Sequence, residues 1–372
     1  MKTFFNLVQE VQKPGLCYRC GGCATFCTAI NYGALEIDKN GKPVYQDMEK
    51  CIECGLCYSI CPEITDLDEE TKRQAAWSEP MGRVIETTVV RASDKRIQDR
   101  AMDGGAVTAL LLHLFDKNRI DGAIVTRPVG KYQRQPFLAT TREEIAESAG
   151  MFFDTSHGMK RFSEEYMTFS TIEEFDPMIK KGLKRVALVG TPCQIKSLRK
   201  MQVLNLIPSD SIKFCFGLFC SGNFTFGINE QQKLARIAGI SWEDVVGINL
   251  KDKLMITLGS GEIKTVELEQ MESMKRYACH YCPDYSAEFA DISFGGIGAD
   301  AGWTTVITRT PLGRAVLADS RSSESIDQFN VKDDSGFASR ALREVRKASS
   351  AKKKKARYKR RGLQARPVQV RV

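Results

Sequence analysis

The residues best equipped for chemistry are cysteines in two matched runs. The first is Cys17-x2-Cys20-x2-Cys23-x3-Cys27, and 34 residues on comes Cys51-x2-Cys54-x2-Cys57-x3-Cys61-Pro62. Three thiolates on one tight loop cap three corners of an iron–sulfur cubane, and the fourth cysteine of each run reaches the other cubane. The spacing thus assigns one [4Fe–4S] cluster to Cys17, Cys20, Cys23 and Cys61, and a second to Cys51, Cys54, Cys57 and Cys27. Zinc modules would instead set two cysteine pairs many residues apart. Gly21 and Gly55 follow the second cysteine of each run, so the two copies read as an internal repeat.

The chain has 13 cysteines, and the later ones also fall in suggestive places. Val186-Ala187-Leu188-Val189-Gly190-Thr191-Pro192-Cys193-Gln194 reads as a buried strand, a sharp turn and a helix start. A helix N-terminus favours the thiolate, which suits a nucleophile or a metal ligand. Cys220, Cys279 and Cys282 could join Cys193 around a third [4Fe–4S] cluster. That leaves Cys215 on an apolar strand as a structural thiol. Asp103-Gly104-Gly105-Ala106 opens an apolar helix, either as a phosphate cradle or with Asp103 as a plain N-cap. Gly295-Gly296-Ile297-Gly298 is followed by Trp303-Thr304-Thr305-Val306, residues that prefer a strand. It is therefore no dinucleotide fingerprint, which needs a helix after its glycines. It is a turn between strands, either a structural hairpin or a seat for a flat ligand.

The elements that must position these residues alternate irregularly. Strands are predicted at 87–90, 122–126, 185–189, 212–216, 246–250 and 254–258, and helices at 107–117, 142–149, 193–201 and 225–238. The fold class is α+β: a ferredoxin-like domain at 1–80, a mixed α/β domain at 81–330 and a tail at 331–372. Alternation around Asn40-Gly41 predicts a hairpin between the cysteine runs, and 64–84 reads as a polar connector or surface helix.

Composition narrows the class further. With 42% hydrophobic and 27% charged residues the chain is ordinary for a globular protein. It shows neither a signal peptide nor a run of ~18–20 apolar residues long enough to span a membrane. The expected location is cytoplasmic, in a reducing compartment that keeps thiols free as ligands. Of the formal charge of +8, ten positive charges lie in 351–372, and taking them away leaves −2 for the rest. Nucleic acid is accordingly not an expected partner. The tail is expected to be disordered and basic, either idle or docked on an acidic partner or an anionic lipid surface. His113 falls inside an apolar helix and reads as packing. His280 sits between candidate ligands, and His157 is uninformative.

Residues 13–65 resemble bacterial two-cluster ferredoxins, with Thr28 where a proline is usual. Across about 84–315, Asp103-Gly104-Gly105, Ile120-Asp121-Gly122, Cys193, Gly217-Leu218-Phe219-Cys220, Cys279-His280-Tyr281-Cys282-Pro283-Asp284, Gly302-Trp303-Thr304-Thr305 and Arg309-Thr310 resemble the family of β-subunits of coenzyme F420-dependent hydrogenases and dehydrogenases. With the two-cluster segment in front, the chain is most similar to the F420H2 dehydrogenase input subunits of that family. The resemblance implies FAD in the larger domain, a third cluster on Cys193, Cys220, Cys279 and Cys282, and coenzyme F420 as substrate. It implies Gly104, Gly105 and Thr108 at the flavin phosphates and Gly298, Trp303 and Thr304 near the ring. No side-chain acid or base is implied, because flavin chemistry needs placement and tuning of the cofactor. Gly150-Met151-Phe152-Phe153-Asp154 departs from the family pattern, which leaves the donor open.

Three functions follow as expectations. One is hydride transfer from reduced F420 to FAD, or the reverse, with single electrons passing through the clusters to other subunits of a redox complex, membrane-associated or not. The second is a ferredoxin-dependent flavin reductase, and the third an electron-wire subunit without flavin.

Overall fold

A computed structural model of the chain describes residues 1–27, 33–38, 41–130, 133–150, 175–206, 209–224, 227–251, 253–329 and 336–364. Thr28, Asn40, His157 and 151–154 lie outside them, as do 331–335 and 365–372 of the tail.

The cysteine repeat is also a repeat of backbone shape. Arg19 and Glu53, each one residue before the second cysteine of its run, have φ of 52° and 55°. Gly21 and Gly55, each one residue after it, have φ of 82° and 73° and start the short helical turns Gly22–Thr25 and Leu56–Ser59. Glycine suits those left-handed positions because it has no Cβ to clash with the backbone. A hairpin of β1 (Leu35–Ile37) and β2 (Pro43–Tyr45) joins the two halves. Phe4, Leu7, Val11, Ala24, Leu35, Tyr58 and Ile64 form a small core beneath it.

The larger body is built on one eight-stranded sheet. Its strands are β3 (Glu86–Ala92), β4 (Gly122–Gly130), β5 (Gln133–Ala139), β6 (Val186–Gly190), β7 (Ile212–Leu218), β11 (Ile292–Gly295), β12 (Thr304–Thr308) and β13 (Ile326–Gln328). The spatial order is β13-β3-β12-β11-β7-β6-β4-β5. The central four, β11, β7, β6 and β4, run parallel, and antiparallel strands close both flanks. All five residues of β6 are buried, as an unbroken apolar run in a parallel sheet should be. A second sheet, β8 (Val245–Leu250), β9 (Lys253–Leu258) and β10 (Ile263–Glu267), is antiparallel and has its own core around Leu234, Ile256 and Met271. The longer helices around the site are α1 (Ala106–Asp116), α2 (Pro192–Val203), α4 (Pro311–Ser322) and α5 (Phe337–Gln364), while α3 (Ile228–Ala238) lies beside the small sheet. No helix among the described residues is long and apolar enough to cross a membrane.

Two sequence expectations need correction. Asp103 does not cap α1; Gly105 is its N-cap, at φ 72°, and Asp103 pairs with Lys251 at 2.7 Å. The tail is not disordered over 337–364, where it is a single 28-residue helix. Ala341, Val345, Ser349 and Ala356 are at most 1% exposed, and with Lys352 and Arg360 they make an inward stripe three to four residues apart, the helical repeat. Arg360 forks onto Glu63 at 2.6 and 2.7 Å, and Lys353 pairs with Glu288 at 2.9 Å. The acidic partner of this segment is thus in part the chain's own body.

Helix α2 couples the cluster segment to the sheet. Lys200, fully buried, donates to the carbonyls of Cys61 and Ile64 and pairs with Asp68. Lys196 holds the Pro62 carbonyl at 3.0 Å. The fit is tight at Gly22, where an added Cβ would stand 2.0 Å from the Ser197 Oγ and 3.1 Å from its Cβ. Gly22→Ala is therefore expected to cost about 1–3 kcal/mol through overpacking. Ser197→Ala in the same chain should restore most of it, and a thermal-denaturation double-mutant cycle reads the coupling. Additive losses would show that the two segments do not meet as described.

Candidate redox centre

Each proposed N-terminal ligand set surrounds its own hollow. Cys17, Cys20, Cys23 and Cys61 line one of about 390 Å³, together with Leu7, Val11 and Pro43. Cys27, Cys51, Cys54 and Cys57 line another of about 370 Å³ beside Phe4, Phe26 and Leu35. The fourth cysteine of each run thus faces the hollow built by the other run, as the crossed assignment requires. Burial pushes the Cys20 thiol up to about 11 and the Cys57 thiol to about 12. Such thiols hold their protons near neutrality, and cluster assembly must displace them. The apolar, thiol-ringed hollows suit a cubane, which supplies the iron charge that stabilises the thiolates. Among the described residues, no three of His, Cys, Asp and Glu approach closely enough to hold a single metal ion.

The four later cysteines also converge. Cys193 is the second residue of α2, with Thr191 as N-cap and Pro192 at N1. Its thiol lies within electrostatic reach of Cys282 and Cys220, and on the other side of Cys20. Cys282 is likewise within reach of Cys279 and Cys220. The Asn223 N–H donates to the Cys279 Sγ at 3.3 Å. Burial is the largest influence on Cys193, Cys220 and Cys282 and pushes all three thiols up. Cys193 and Cys282 line one hollow beside Tyr18 and Pro192, and four thiols so placed could hold a third cubane. Cys215, by contrast, is fully buried in β7 and packs in the apolar core on that side of the sheet.

Loop 276–291 is held in place by buried polar groups that sequence reasoning did not single out. Arg276 donates to the Tyr18 carbonyl at 2.6 Å, tying the third set to the first cysteine run. Asp291 accepts from the Cys215 N–H and the Thr310 hydroxyl, both at 2.8 Å, and pairs with Arg199 of α2 at 3.0 Å. His280 pairs with Glu272 at 3.1 Å, and burial lowers its pKa. His113 packs inside α1 against Asp319 at 2.8 Å.

A hollow of about 690 Å³ opens at the carboxyl ends of the parallel strands, where open α/β sheets bind ligands. Its lining includes Asp103, Gly105, Thr108, Val189, Leu218 and Thr304. The free N–H groups of the first turn of α1 suit phosphate oxygens. The residues therefore fit a flavin nucleotide. Gly104 stands just behind the lining, where its N–H donates to the Thr304 Oγ1 at 3.1 Å. Gly298 and Trp303 are placed elsewhere. An added Cβ on Gly298 would meet Ala341 of α5 at 2.7 Å. Trp303 packs edge-on against Phe329 and beneath the Arg91 guanidinium. Of the glycines in the hairpin of β11 and β12, Gly298 thus meets the C-terminal helix, whereas Gly295 lines the hollow and Gly296 stands against Asp103.

At Gly105 an alanine would force φ 72° on an L-residue and bring its Cβ to 2.8 Å from Ile97. Gly105→Ala is expected to cost about 1–2 kcal/mol and to lower the flavin retained per chain after gel filtration. Unchanged flavin content would remove this glycine from the site.

The chain's similarities to known proteins follow the same division. Residues 87–162 and 183–334 match the N-terminal and C-terminal parts of the coenzyme F420 hydrogenase/dehydrogenase beta subunit, and residues 9–62 match a 4Fe-4S dicluster domain. Coenzyme F420 hydrogenase subunit beta of Methanococcus voltae is 30% identical over 260 residues, which is 68% of this chain and 87% of that one. A subunit of the F(420)H(2) dehydrogenase of Methanosarcina mazei is 24% identical over 314 residues, 82% of each chain. Among solved structures, a chain of the F420-reducing [NiFe] hydrogenase complex from Methanosarcina barkeri superposes with a TM-score of 0.63 at 26% identity. That match covers 76% of this chain and 93% of that one.

Proposed function

Because this chain belongs to the family of coenzyme F420 hydrogenase/dehydrogenase beta subunits, which are oxidoreductases, we propose that it oxidises reduced coenzyme F420 and delivers the electrons singly to a partner redox protein. When bound, FAD would exchange a hydride with F420 and three [4Fe–4S] clusters would carry the electrons one at a time. The chain's own residues do the placing. Gly105 leaves the start of α1 open to a phosphate, and Thr108 and Thr304 line the same wall. The Asp103–Lys251 pair closes one side by joining the small sheet to the large one.

One observation supports the reading: residues of the hollow adjoin the third thiol set in sequence, and the thiol sets lie within electrostatic reach of one another. Val189 and Leu218 line the flavin hollow, and Cys193 and Cys220 follow them by four and two residues. Cys193 in turn lies within reach of Cys20, and Cys23 of the first set within reach of Cys57 of the second. Electrons entering at the hollow would meet the third set, then the first, then the second. Cys51 and Cys54 of that last set are part-exposed beside the exposed Ile52.

The test is anaerobic. Purified protein of known FAD and iron content is mixed with reduced F420 and a viologen, and both colours are followed. Coupled F420 oxidation and viologen reduction is the expected result. No reaction from protein with full flavin and iron would overturn the F420 reading, and activity with reduced ferredoxin would then identify the donor. A protein purified with its clusters but no flavin would point to an electron-wire subunit.

A further inference from the structure

The helix α5 lies outside both matched parts of the family, which end at residue 334, yet it reaches into the centre of the third cysteine set. In the run Lys352-Lys353-Lys354-Lys355, Lys354 and Lys355 are exposed and Lys352 turns inward. Its ammonium group donates to the Cys220 carbonyl at 2.6 Å and the Asp284 carbonyl at 2.8 Å. One of these residues is a proposed ligand and the other stands two residues beyond Cys282. The ammonium lies within electrostatic reach of the Cys282, Cys220 and Cys279 thiols. Three of the four proposed ligands therefore lie within reach of one part-buried cation, brought there by an element far away in sequence.

Other charges around the set are already committed. Lys353, on the same helix, is taken by Glu288. The Asp284 carboxylate accepts from the Glu288 N–H. Lys275 also stands near Cys279 and Cys220, but on the loop that leads to Cys279 itself.

We propose that Lys352 is a positioning charge that sets the reduction potential of the third cluster, holding it above the value the four thiolates would give alone. The inference rests on the reading that Cys193, Cys220, Cys279 and Cys282 hold a [4Fe–4S] cluster. Reduction adds one electron, and with it one negative charge, to a site already rich in thiolate. A cation enclosed in a low-dielectric interior favours that more negative state strongly. Net charge and hydrogen bonding near the sulfurs are the protein's means of setting such potentials.

The experiment is an EPR-monitored redox titration of full-length protein purified anaerobically. The transition belonging to the third cluster is identified by its loss in Cys220→Ala. Lys352→Met removes the charge at similar length, Lys352→Gln removes it while keeping an N–H donor, and Lys352→Arg keeps it. In the Met and Gln variants the third transition is expected to become at least tenfold harder to reduce, a fall of about 59 mV for one electron. The other two transitions should move less, and Lys352→Arg should stay near the wild type.

An unmoved third potential in Lys352→Gln with full iron overturns the proposal. So does loss of iron from both neutral variants, which would make the lysine a structural support. If the wild-type protein shows only two transitions and about eight iron atoms per chain, the third-cluster reading fails first, and the proposal falls with it.

Discussion

Cys220→Ala is expected to lower the iron content from about twelve to about eight atoms per chain and to stop viologen reduction while flavin reduction by reduced F420 persists. Cys220 follows β7 and lies within reach of Cys279 across the third set. An alanine there would remove one of the four proposed ligands, and a cubane left with three thiolates would be poorly held. The loss should exceed the roughly 10–100-fold seen when a group that merely supports a metal ligand is removed. Cys215→Ala is the control: its thiol is fully buried in the sheet core, so iron should be unchanged. Iron analysis with stopped-flow absorbance separates the two. Full iron and a full viologen rate in Cys220→Ala would remove the third cluster from the proposed path.

The second large effect concerns stability. Arg309 is 1% exposed, and its guanidinium donates to five acceptors. These are the Ser293 Oγ at 2.6 Å, the carbonyls of Met81, Arg83 and Ser286 at 2.8, 3.0 and 2.9 Å, and the Ser286 Oγ at 2.9 Å. Burial pulls its pKa down to about 10, with Asp284 and Glu288 opposing the fall. The side chain remains a cation at neutral pH. It fastens the segment entering the large sheet to the loop that carries Cys279 and Cys282. Arg309→Met leaves several buried acceptors without a donor and should cost roughly 3–5 kcal/mol. Arg309→Lys keeps the charge but offers three donors in a different geometry, so it should recover only part. Chemical denaturation of the anaerobic protein measures both, and a loss below about 1 kcal/mol in Arg309→Met would contradict the network.

Much of this was legible in the chain because local chemistry dictated it. The crossed ligand sets follow from cysteine spacing alone, since only a paired run of that period fits two cubanes. Val186–Gly190 is a continuous apolar run, which needs a sheet buried on both faces, and Phe214–Gly217 is another after the exposed Lys213. What could not be read were contacts between distant segments. Lys196 and Lys200 look like surface lysines until their carbonyl partners at 61–64 are placed beside them. The C-terminal helix misled for a related reason. Its lysine and arginine runs outweigh the sparse inward stripe of Ala341, Val345, Ser349 and Ala356, so composition argued for disorder. The stripe spacing was visible in the sequence, but the body that receives it was not. Gly298 was expected near a ligand and packs on that helix instead, while Trp303 packs on Phe329 and Arg91.

That helix also imposes an order on the protein's making. All thirteen cysteines precede it, the last being Cys282, and Lys352 is synthesised 70 residues later. At about 5–20 residues per second, even the last cysteine precedes Lys352 by about 4–14 s, and the others precede it by longer. During that interval, iron–sulfur donors have an open approach to thiols that the finished molecule encloses, so loading can precede closure within a single round of translation.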